Sequence, residues 1–358
     1  MKTSNEILDS INAFIEQLPY DRKPYSLYEP IQYVLSLGGK RIRPALMLLS
    51  YQLYKDQPED ILMPAVALET YHNYTLLHDD LMDNADLRRG HATVHKRWDA
   101  NTAILSGDSM LVLAYERLLS FFNTQPPTPN TQHPTPNTQH LTPNTQHPTP
   151  SPQHPTPSTQ HPTLALFTET ALQIGEGQQY DMEFERRNDV REEEYIEMIR
   201  LKTSVLLACA MKMGAILAGA TDADADNLYK YGEQIGLAFQ LQDDLLDVYG
   251  DSAVFGKAIG GDITSNKKTY MLINALLRAN DEQRAELNRW IAATDFDRQE
   301  KVAAVTELYN QIGIRQLCEE KINYYFEQAK QYLTHIHVPE ERKQPLIDFT
   351  NEMMHRDK

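Results

Sequence analysis

The segment His-Asp-Asp-Leu-Met-Asp at residues 78–83 decides how the rest of the chain is interpreted. It extends a helix-like run from Tyr74 to Leu77, and a second DDxxD cluster, Asp243 to Asp247, follows another apolar run far downstream. Residues three and four apart share one face of a helix, so each cluster predicts a face with grouped carboxylates. Helical periodicity dominates elsewhere, and we find no convincing alternating strand. The sequence therefore predicts an all-α protein, a single bundle of long helices.

Grouped carboxylates within apolar sequence are costly to remove from water unless a cation binds them. One DDxxD alone is most often a solvated acidic helix face, but two embedded copies, each followed by basic residues, favour a binding site. Paired hard oxygen ligands suit Mg²⁺, which also takes substrate phosphate oxygens. We expect about two or three Mg²⁺ ions around a diphosphate, with Mn²⁺ able to substitute. The predicted metal ligands are Asp79, Asp80, Asp83, Asp243, Asp244 and Asp247.

The overall composition limits the class of partner and the compartment. The chain has 358 residues, with 34 basic and 50 acidic side chains and a formal net charge of −16. This balance disfavours nucleic acid, because phosphate backbones require surplus Lys and Arg. Cys209 and Cys318 cannot form a disulfide framework, so we expect a reducing, cytoplasmic location. The N-terminus lacks a signal-peptide pattern, and the apolar run from Val205 to Ala220 is short for a membrane span and predicts a core helix.

Residues 127–161 form five tandem heptads of the type PTPNTQH. Proline removes a backbone donor and fixes φ, and almost no apolar residue is present, so the repeat is expected to stay disordered and extended. Near-identical repeats indicate expansion within a tolerant loop. We therefore expect one domain, residues 1–358, interrupted by an insertion at 124–163. The five regularly spaced histidines of the repeat are expected to be incidental.

Further segments have the residue types of an anion site. In Gly38-Gly39-Lys40-Arg41-Ile42-Arg43-Pro44 the glycines end one helix and the proline opens the next, so three cations are expected near a helix start, where anions are favoured. Lys202-Thr203 lies within a long apolar helix. A glycine-rich turn follows the second acidic cluster, with Phe255-Gly256-Lys257 and then Asn266-Lys267-Lys268.

These segments together resemble the trans-type polyprenyl diphosphate synthases, the farnesyl and geranylgeranyl diphosphate synthase family. The matching segments, in the family's order, are GGKRIRP at 38–44, HDDLMDNADLRRG at 78–90, KT at 202–203, QLQDDLLD at 240–247, FGK at 255–257 and GGDITSNKKTY at 260–270. The resemblance implies an isoprenoid synthase-type fold around a central cavity, usually in a homodimer. It also implies a Mg²⁺-dependent head-to-tail (1′-4) condensation of isopentenyl diphosphate with an allylic diphosphate (dimethylallyl, geranyl or farnesyl), through an allylic carbocation.

The resemblance further implies a role for each matching residue. The residues expected to grip the allylic diphosphate are Arg88, Lys202, Lys257 and Lys267. Those expected to hold the isopentenyl diphosphate are Lys40, Arg43, His72 and Arg89. Thr203 and Gln240 would stabilise the carbocation, and Asp244 and Asp247 would be metal ligands or would support the ligands. The C-terminal Arg356 and Lys358 resemble a basic tail that closes over the site, whereas Tyr180 and Asp181 are interpreted as structural.

The length of the product is expected to depend on side chains one and two helical turns before the first acidic cluster. Those side chains should line the cavity below the cluster, and they are Tyr74, Thr75 and, further down, Tyr71. In the resembled family a bulky residue at the position of Tyr74 blocks longer chains. We therefore expect a short product of about fifteen to twenty carbons.

Three alternatives stay open. The first is a class I terpene cyclase on the same fold, against which the intact second DDxxD and the isopentenyl-site residues argue. The second is a non-catalytic regulatory subunit of a heteromeric synthase, although such subunits tend to lose acidic motif residues. The third is that the proline-rich repeat binds a partner and is itself the working part.

Overall fold

The structure, a computed structural model, describes residues 1–124, 162–250 and 259–354. Predictions for the heptad repeat, Lys257, Arg356 and Lys358 lie outside these residues. Within them helices dominate, which confirms the predicted fold class. The helices are α1 Ser4–Glu16, α2 Tyr25–Ser36, α3 Ile42–Gln52, α4 Leu62–Met82, α5 Val94–Arg97, α6 Ala100–Thr124, α7 Pro162–Glu185, α8 Glu192–Ile199, α9 Val205–Ala218, α10 Asp222–Tyr249, α11 Gly261–Thr264, α12 Tyr270–Arg278, α13 Asp281–Ala292, α14 Arg298–Ile312, α15 Ile314–Thr334 and α16 Glu340–Met354, with a 3₁₀ turn at Pro58–Ile61.

Helices α9 and α10 lie at the centre of the bundle. Helix α10 packs between α9 and α15, α3 packs on α9, and α4 packs on α6. Among the described residues, the stretch Glu192–Ala218 has the length and apolar composition of a membrane span, but 72% of its most apolar window is buried inside the protein. It is therefore the core helix that the sequence predicted. Because α4 and α10 are both anchored in this core, the aspartates near their C-terminal ends have fixed positions.

Helix α2 contains an internal proline, Pro30. The helix starts at Tyr25, directly after the extended Pro24. Pro30 lacks an N–H group and so removes one hydrogen bond within the helix. The helix nevertheless buries Pro30 and Ile31 against the core, and this burial outweighs the missing bond.

A two-residue hairpin follows α4, although the sequence predicted no strand. Strand β1, Leu87–Arg88, pairs antiparallel with β2, His91–Ala92. The two residues between the strands, Arg89 and Gly90, have φ values of 53° and 77°. Positive φ at both central positions is typical of the tight turn that matches the twist of a hairpin. The turn directs Arg88 back towards α4.

A π-helical turn, Arg200–Ser204, joins α8 to α9. Its wider turn is shown by the hydrogen bond from the Val205 N–H to the Arg200 carbonyl, five residues back. Neighbouring helices approach this turn through glycines. A Cβ atom on Gly177 of α7 would lie 2.4 Å from the Lys202 nitrogen, and one on Gly236 of α10 would lie 2.5 Å from a Ser204 carbon. The turn is therefore held between two helices at backbone contact.

Candidate active site

The first aspartate cluster lies at the C-terminal end of α4. Asp80 is buried, and Arg88 donates two groups to its carboxylate. Nε lies 3.0 Å from Oδ1 and 3.1 Å from Oδ2, and Nη2 lies 2.5 Å from Oδ1. Burial raises the pKa of Asp80, and Arg88 offsets part of this effect. Desolvation, with the neighbouring Asp79, also raises the pKa of Asp83. The cluster thus concentrates more negative charge than its surroundings readily stabilise.

The second cluster lies near the C-terminal end of α10. Asp244 is 4% exposed; the Tyr195 hydroxyl donates to its Oδ2, and Gln240 Nε2 donates to its Oδ1 at 3.1 Å. Burial raises the pKa of Asp244 to about 8, and the nearby Asp262 adds to the effect. The backbone N–H of Asp262 donates to Asp247 Oδ2 at 2.9 Å. Both oxygens of Asp244 are therefore oriented by neutral donors.

The π-helical turn connects the two clusters. Lys202 Nζ lies 3.3 Å from Asp79 Oδ1 of the first cluster. The next residue, Thr203, donates its hydroxyl to Gln240 Oε1 at 3.0 Å, and Gln240 in turn donates to Asp244. A continuous chain of contacts thus runs from α4 through the turn to α10.

Asp181 of α7, which the sequence analysis interpreted as structural, lies between two site lysines. Its carboxylate is 2.6 Å from Lys202 Nζ and 3.7 Å from Lys267 Nζ. Burial favours a higher pKa for Asp181, but Lys267 and Lys202 outweigh burial and lower it. Burial opposes the charge on Lys267, yet Asp181 and carboxylates of both clusters raise its pKa. The Lys267 ammonium is therefore within electrostatic reach of carboxylates from both aspartate clusters. Single-sequence spacing carries no signal that would have placed Asp181 here.

A second basic group lies beside the hairpin. Arg43 Nη1 donates to His72 Nε2 at 3.0 Å. Burial lowers the pKa of His72 well below its usual value, and the adjacent Arg43 and Arg89 lower it further. Arg89 donates to the Gly38 carbonyl, so the hairpin turn is fastened to the glycine segment. The structure thus brings together three of the four residues predicted to hold isopentenyl diphosphate, and Lys40 is exposed in the same segment.

Arg41 differs from its neighbours, because it points into the core rather than towards an anion. It is 4% exposed, pairs with Glu69 at 2.8 Å and donates to the Leu35 carbonyl at 2.7 Å. Its backbone is left-handed, with φ at 47°. Arg41 thus differs from the exposed Lys40 and from Arg43, which contacts His72.

Two tyrosines precede the first cluster on α4, and their role in limiting the length of the product stays a prediction. Tyr71 is 2% exposed, its ring centroid lies 5.4 Å from that of Tyr74, and it meets Phe167 of α7 edge-on at 5.2 Å. Its hydroxyl donates to the Ala171 carbonyl at 3.2 Å. Thr75 bonds back to its own helix. The two tyrosines form a supported aromatic layer under the acidic cluster.

The carboxylates fit a divalent cation by their chemistry. Among the described residues, no three His, Cys, Asp or Glu side chains are already grouped around a metal position. Asp80 is instead paired with Arg88. Burial, and to a smaller extent neighbouring carboxylates, raise the pKa values of Asp80, Asp83 and Asp244, and a cation bound beside them would stabilise their charged forms. Carboxylate oxygens are the donors that Mg²⁺ prefers.

An all-α bundle that brings two aspartate clusters, bridging lysines and an adjacent basic group together defines an enzyme site for diphosphate esters. A family model described as polyprenyl synthetase matches residues 24–311. The chain belongs to this family and is a prenyltransferase, as the sequence resemblance predicted.

Known relatives support the same assignment. The geranylgeranyl diphosphate synthase of Methanosarcina mazei is 37% identical over 265 residues, 74% of this chain and 72% of that protein. The geranylfarnesyl diphosphate synthase of Natronomonas pharaonis is 33% identical over 353 residues, 88% of this chain and 94% of that protein. A crystal structure of a geranylgeranyl pyrophosphate synthase superposes with a TM-score of 0.84 at 36% identity, covering 100% of both chains.

Proposed function

We propose that the protein condenses isopentenyl diphosphate with an allylic diphosphate, head to tail, in a Mg²⁺-dependent reaction through an allylic carbocation. The observation that carries this proposal is the chain of contacts from Asp79 through Lys202 and Thr203 to Gln240 and Asp244. It joins both acidic clusters to a hydroxyl and an amide at one place. Binding of a diphosphate and stabilisation of a cation would thus be combined at one site.

Departure of the allylic diphosphate requires stabilisation of its developing negative charge. Bound Mg²⁺ would neutralise part of that charge, held by Asp79, Asp80 or Asp83 and by Asp243, with Asp244 and Asp247 as further ligands or supports. Arg88 uses Nε and Nη2 on Asp80, so its Nη1 edge is the part that would meet a phosphate oxygen. Lys202 and Lys267 would add cationic contacts, and Lys257 is proposed to do the same.

The carbocation would be stabilised by Thr203 and Gln240. The Thr203 hydroxyl hydrogen is committed to Gln240, so the lone pairs on the hydroxyl oxygen remain for an adjacent positive charge. Gln240 is fixed by its bond to Asp244. Fixed dipoles of this kind stabilise charge without reorganising during the reaction. The apolar surroundings would also keep water from capturing the cation.

The homoallylic isopentenyl diphosphate would bind Lys40, Arg43, His72 and Arg89. The lowered pKa of His72 keeps its imidazole neutral, and Nε2 accepts from Arg43. Nδ1 then carries the proton and can donate to a phosphate oxygen. Arginine suits this site because its planar guanidinium can make paired bonds to phosphate.

We propose a short product, of about fifteen to twenty carbons, because the buried Tyr71 and the half-buried Tyr74 form an aromatic layer that would block a growing chain. The relative with the name geranylgeranyl diphosphate synthase supports a product of this length. Dimethylallyl, geranyl and farnesyl diphosphates are the candidate primers.

We also propose a cytoplasmic homodimer with one domain, interrupted between α6 and α7. Both cysteines are free and buried, in keeping with a reducing compartment. Leu105, Val112 and Leu119 of α6 are exposed at seven-residue spacing, and Leu172 of α7 is also exposed. An apolar stripe of this kind fits a second copy of the chain. A Val112→Glu variant that keeps the mass of a dimer in light scattering would show that this face is not the interface.

The proposed reaction is tested by incubating the pure chain with Mg²⁺, labelled isopentenyl diphosphate and each primer, and sizing the products by mass spectrometry. Linear labelled products are expected. Unlabelled cyclic hydrocarbons would instead identify a terpene cyclase. Activity that appears only after adding a catalytic partner would identify a regulatory subunit.

A further inference from the structure

The segment 259–269, which carries the site residue Lys267, packs on the first turn of α14. Arg298 of that turn donates from Nη2 to the Ile259 carbonyl at 2.9 Å. Lys301 Nζ donates to Asn266 Oδ1 at 2.8 Å. Two cationic side chains from one helical turn thus form hydrogen bonds with the segment near both of its ends.

Lys301 has unusual surroundings for a lysine. Its side chain is 1% exposed, and its ammonium group lies 4.2 Å from the centroid of the Phe296 ring. In the described part of the chain, no carboxylate lies within ion-pair distance of it. Burial consequently lowers the pKa of Lys301.

The stability of the fold does not account for this lysine. Burying a cation without a counter-ion is unfavourable, and a cation in the first turn of a helix also opposes the helix dipole. The Phe296 ring offsets only part of this penalty. An apolar side chain of equal length would fill the same space without it. The distinctive contact that Lys301 makes is its hydrogen bond to Asn266.

Asn266 holds a strained position next to a site residue. Its backbone is left-handed, with φ at 55°, and its Nδ2 donates to the Ile291 carbonyl at 3.1 Å. The following residue, Lys267, donates its N–H to the Asp262 carbonyl at 2.9 Å and directs its ammonium towards Asp181. The orientation of Asn266 therefore sets the direction in which the Lys267 side chain leaves the backbone.

We propose that Lys301 is a positioning residue. By its hydrogen bond to Asn266, it fixes the Lys267 ammonium between the two aspartate clusters. Lys301 itself touches no substrate. The inference rests on the proposed function, in which Lys267 grips the allylic diphosphate.

The test compares Lys301→Met, which removes the ammonium group and keeps the side-chain length, with the wild-type chain. For Lys301→Met, kcat/KM for the allylic diphosphate is expected to fall about ten- to hundredfold, as for a displaced substrate contact. KM for isopentenyl diphosphate should stay unchanged, and Tm should stay equal or rise because a buried charge is removed. Asn266→Gly keeps the left-handed backbone but lacks the acceptor, and it should reproduce the loss.

Coupling to Lys267 is measured with a double-mutant cycle. In a Lys267→Ala background, Lys301→Met should cause no further loss. The matched control is Lys330→Met, because Lys330 also lies over an aromatic ring, Phe326 at 4.6 Å, but on the surface away from the site. This control should keep wild-type constants.

Three results would each overturn the positioning role. Lys301→Met could keep the wild-type kcat/KM, or it could cause an equal loss with and without Lys267. It could also lower Tm and raise both KM values together. Failure of the proposed function looks different, since the wild-type chain itself would form no condensed product. In that case calorimetry with Mg²⁺ and inorganic diphosphate decides the inference. Lys301→Met should weaken binding in the wild-type background and leave it unchanged in Lys267→Ala.

Discussion

Replacing Gly177 by alanine should displace the π-helical turn and impair the reaction without unfolding the protein. The new Cβ atom would lie 2.4 Å from the Lys202 nitrogen and 2.8 Å from its Cα. Both contacts are backbone atoms, so no side-chain rotation can relieve them. Ordinary contact begins at 3.4 Å, so the turn must move by about 1 Å relative to α7.

The expected size follows from that displacement. A shift of about 1 Å in a group that positions substrate reduces the rate roughly a hundredfold, equivalent to about 2.7 kcal/mol of transition-state stabilisation. Overpacking costs about 1–3 kcal/mol of stability, and alanine in place of glycine within a helix returns about 1 kcal/mol. The net loss of about 0–2 kcal/mol leaves a folded protein.

The assay measures kcat with saturating substrates, together with Tm. Gly175→Ala is the matched control, because it lies in the same helix and its Cβ would meet nothing within 4 Å. Gly175→Ala should keep wild-type kcat and gain slightly in Tm. Equal kcat values for the two alanine variants would refute the reasoning that backbone contact at Gly177 positions the turn.

Three further changes test other parts of the site. Tyr74→Ala should lengthen the product by at least one isoprene unit, because it opens the aromatic layer; an unchanged chromatographic profile would show that Tyr74 is not the floor. Removing divalent ions with EDTA should stop condensation and added Mg²⁺ should restore it, whereas full turnover in EDTA would contradict a metal-dependent site. Deleting residues 127–161 should leave kcat nearly unchanged, and a folded but inactive deletion variant would show that the repeat takes part in function.

The acidic helices were predictable because their signal is local. In α4 and α10 a DDxxD cluster interrupts an apolar helical pattern, and both the element and the cluster can be identified without knowing any neighbour. The acidic pattern does not give the bounds of these helices. Helix α10 begins at Asp222, because the Thr221 side chain caps it by accepting from the Asp224 N–H.

The remaining site features depend on contacts between distant segments. The π-helical turn lies where Gly177 of α7 and Gly236 of α10 let their helices approach its backbone closely. No residue within 200–204 indicates this approach. Asp181 gains its position only when α7 packs on the π-helical turn, and Tyr195 only when α8 packs beside α10. Arg41 shares its charge with neighbours expected to bind an anion, yet its pairing with the distant Glu69 turns it inward.

The wider turn at 200–204 also governs how this chain tolerates changes in length. An α-helix rotates by about 100° per residue, so removing the single extra residue would turn α8 by that angle relative to α9. Lys202 would then lose its contact with Asp79, or Thr203 its contact with Gln240, even though both residues were still present. Substitutions in this stretch alter one contact at a time, whereas a frame-preserving loss of one codon would break the alignment of both clusters together. The sequence between α6 and α7 contains five tandem heptads, whereas the π-helical turn should not tolerate the loss of a single residue.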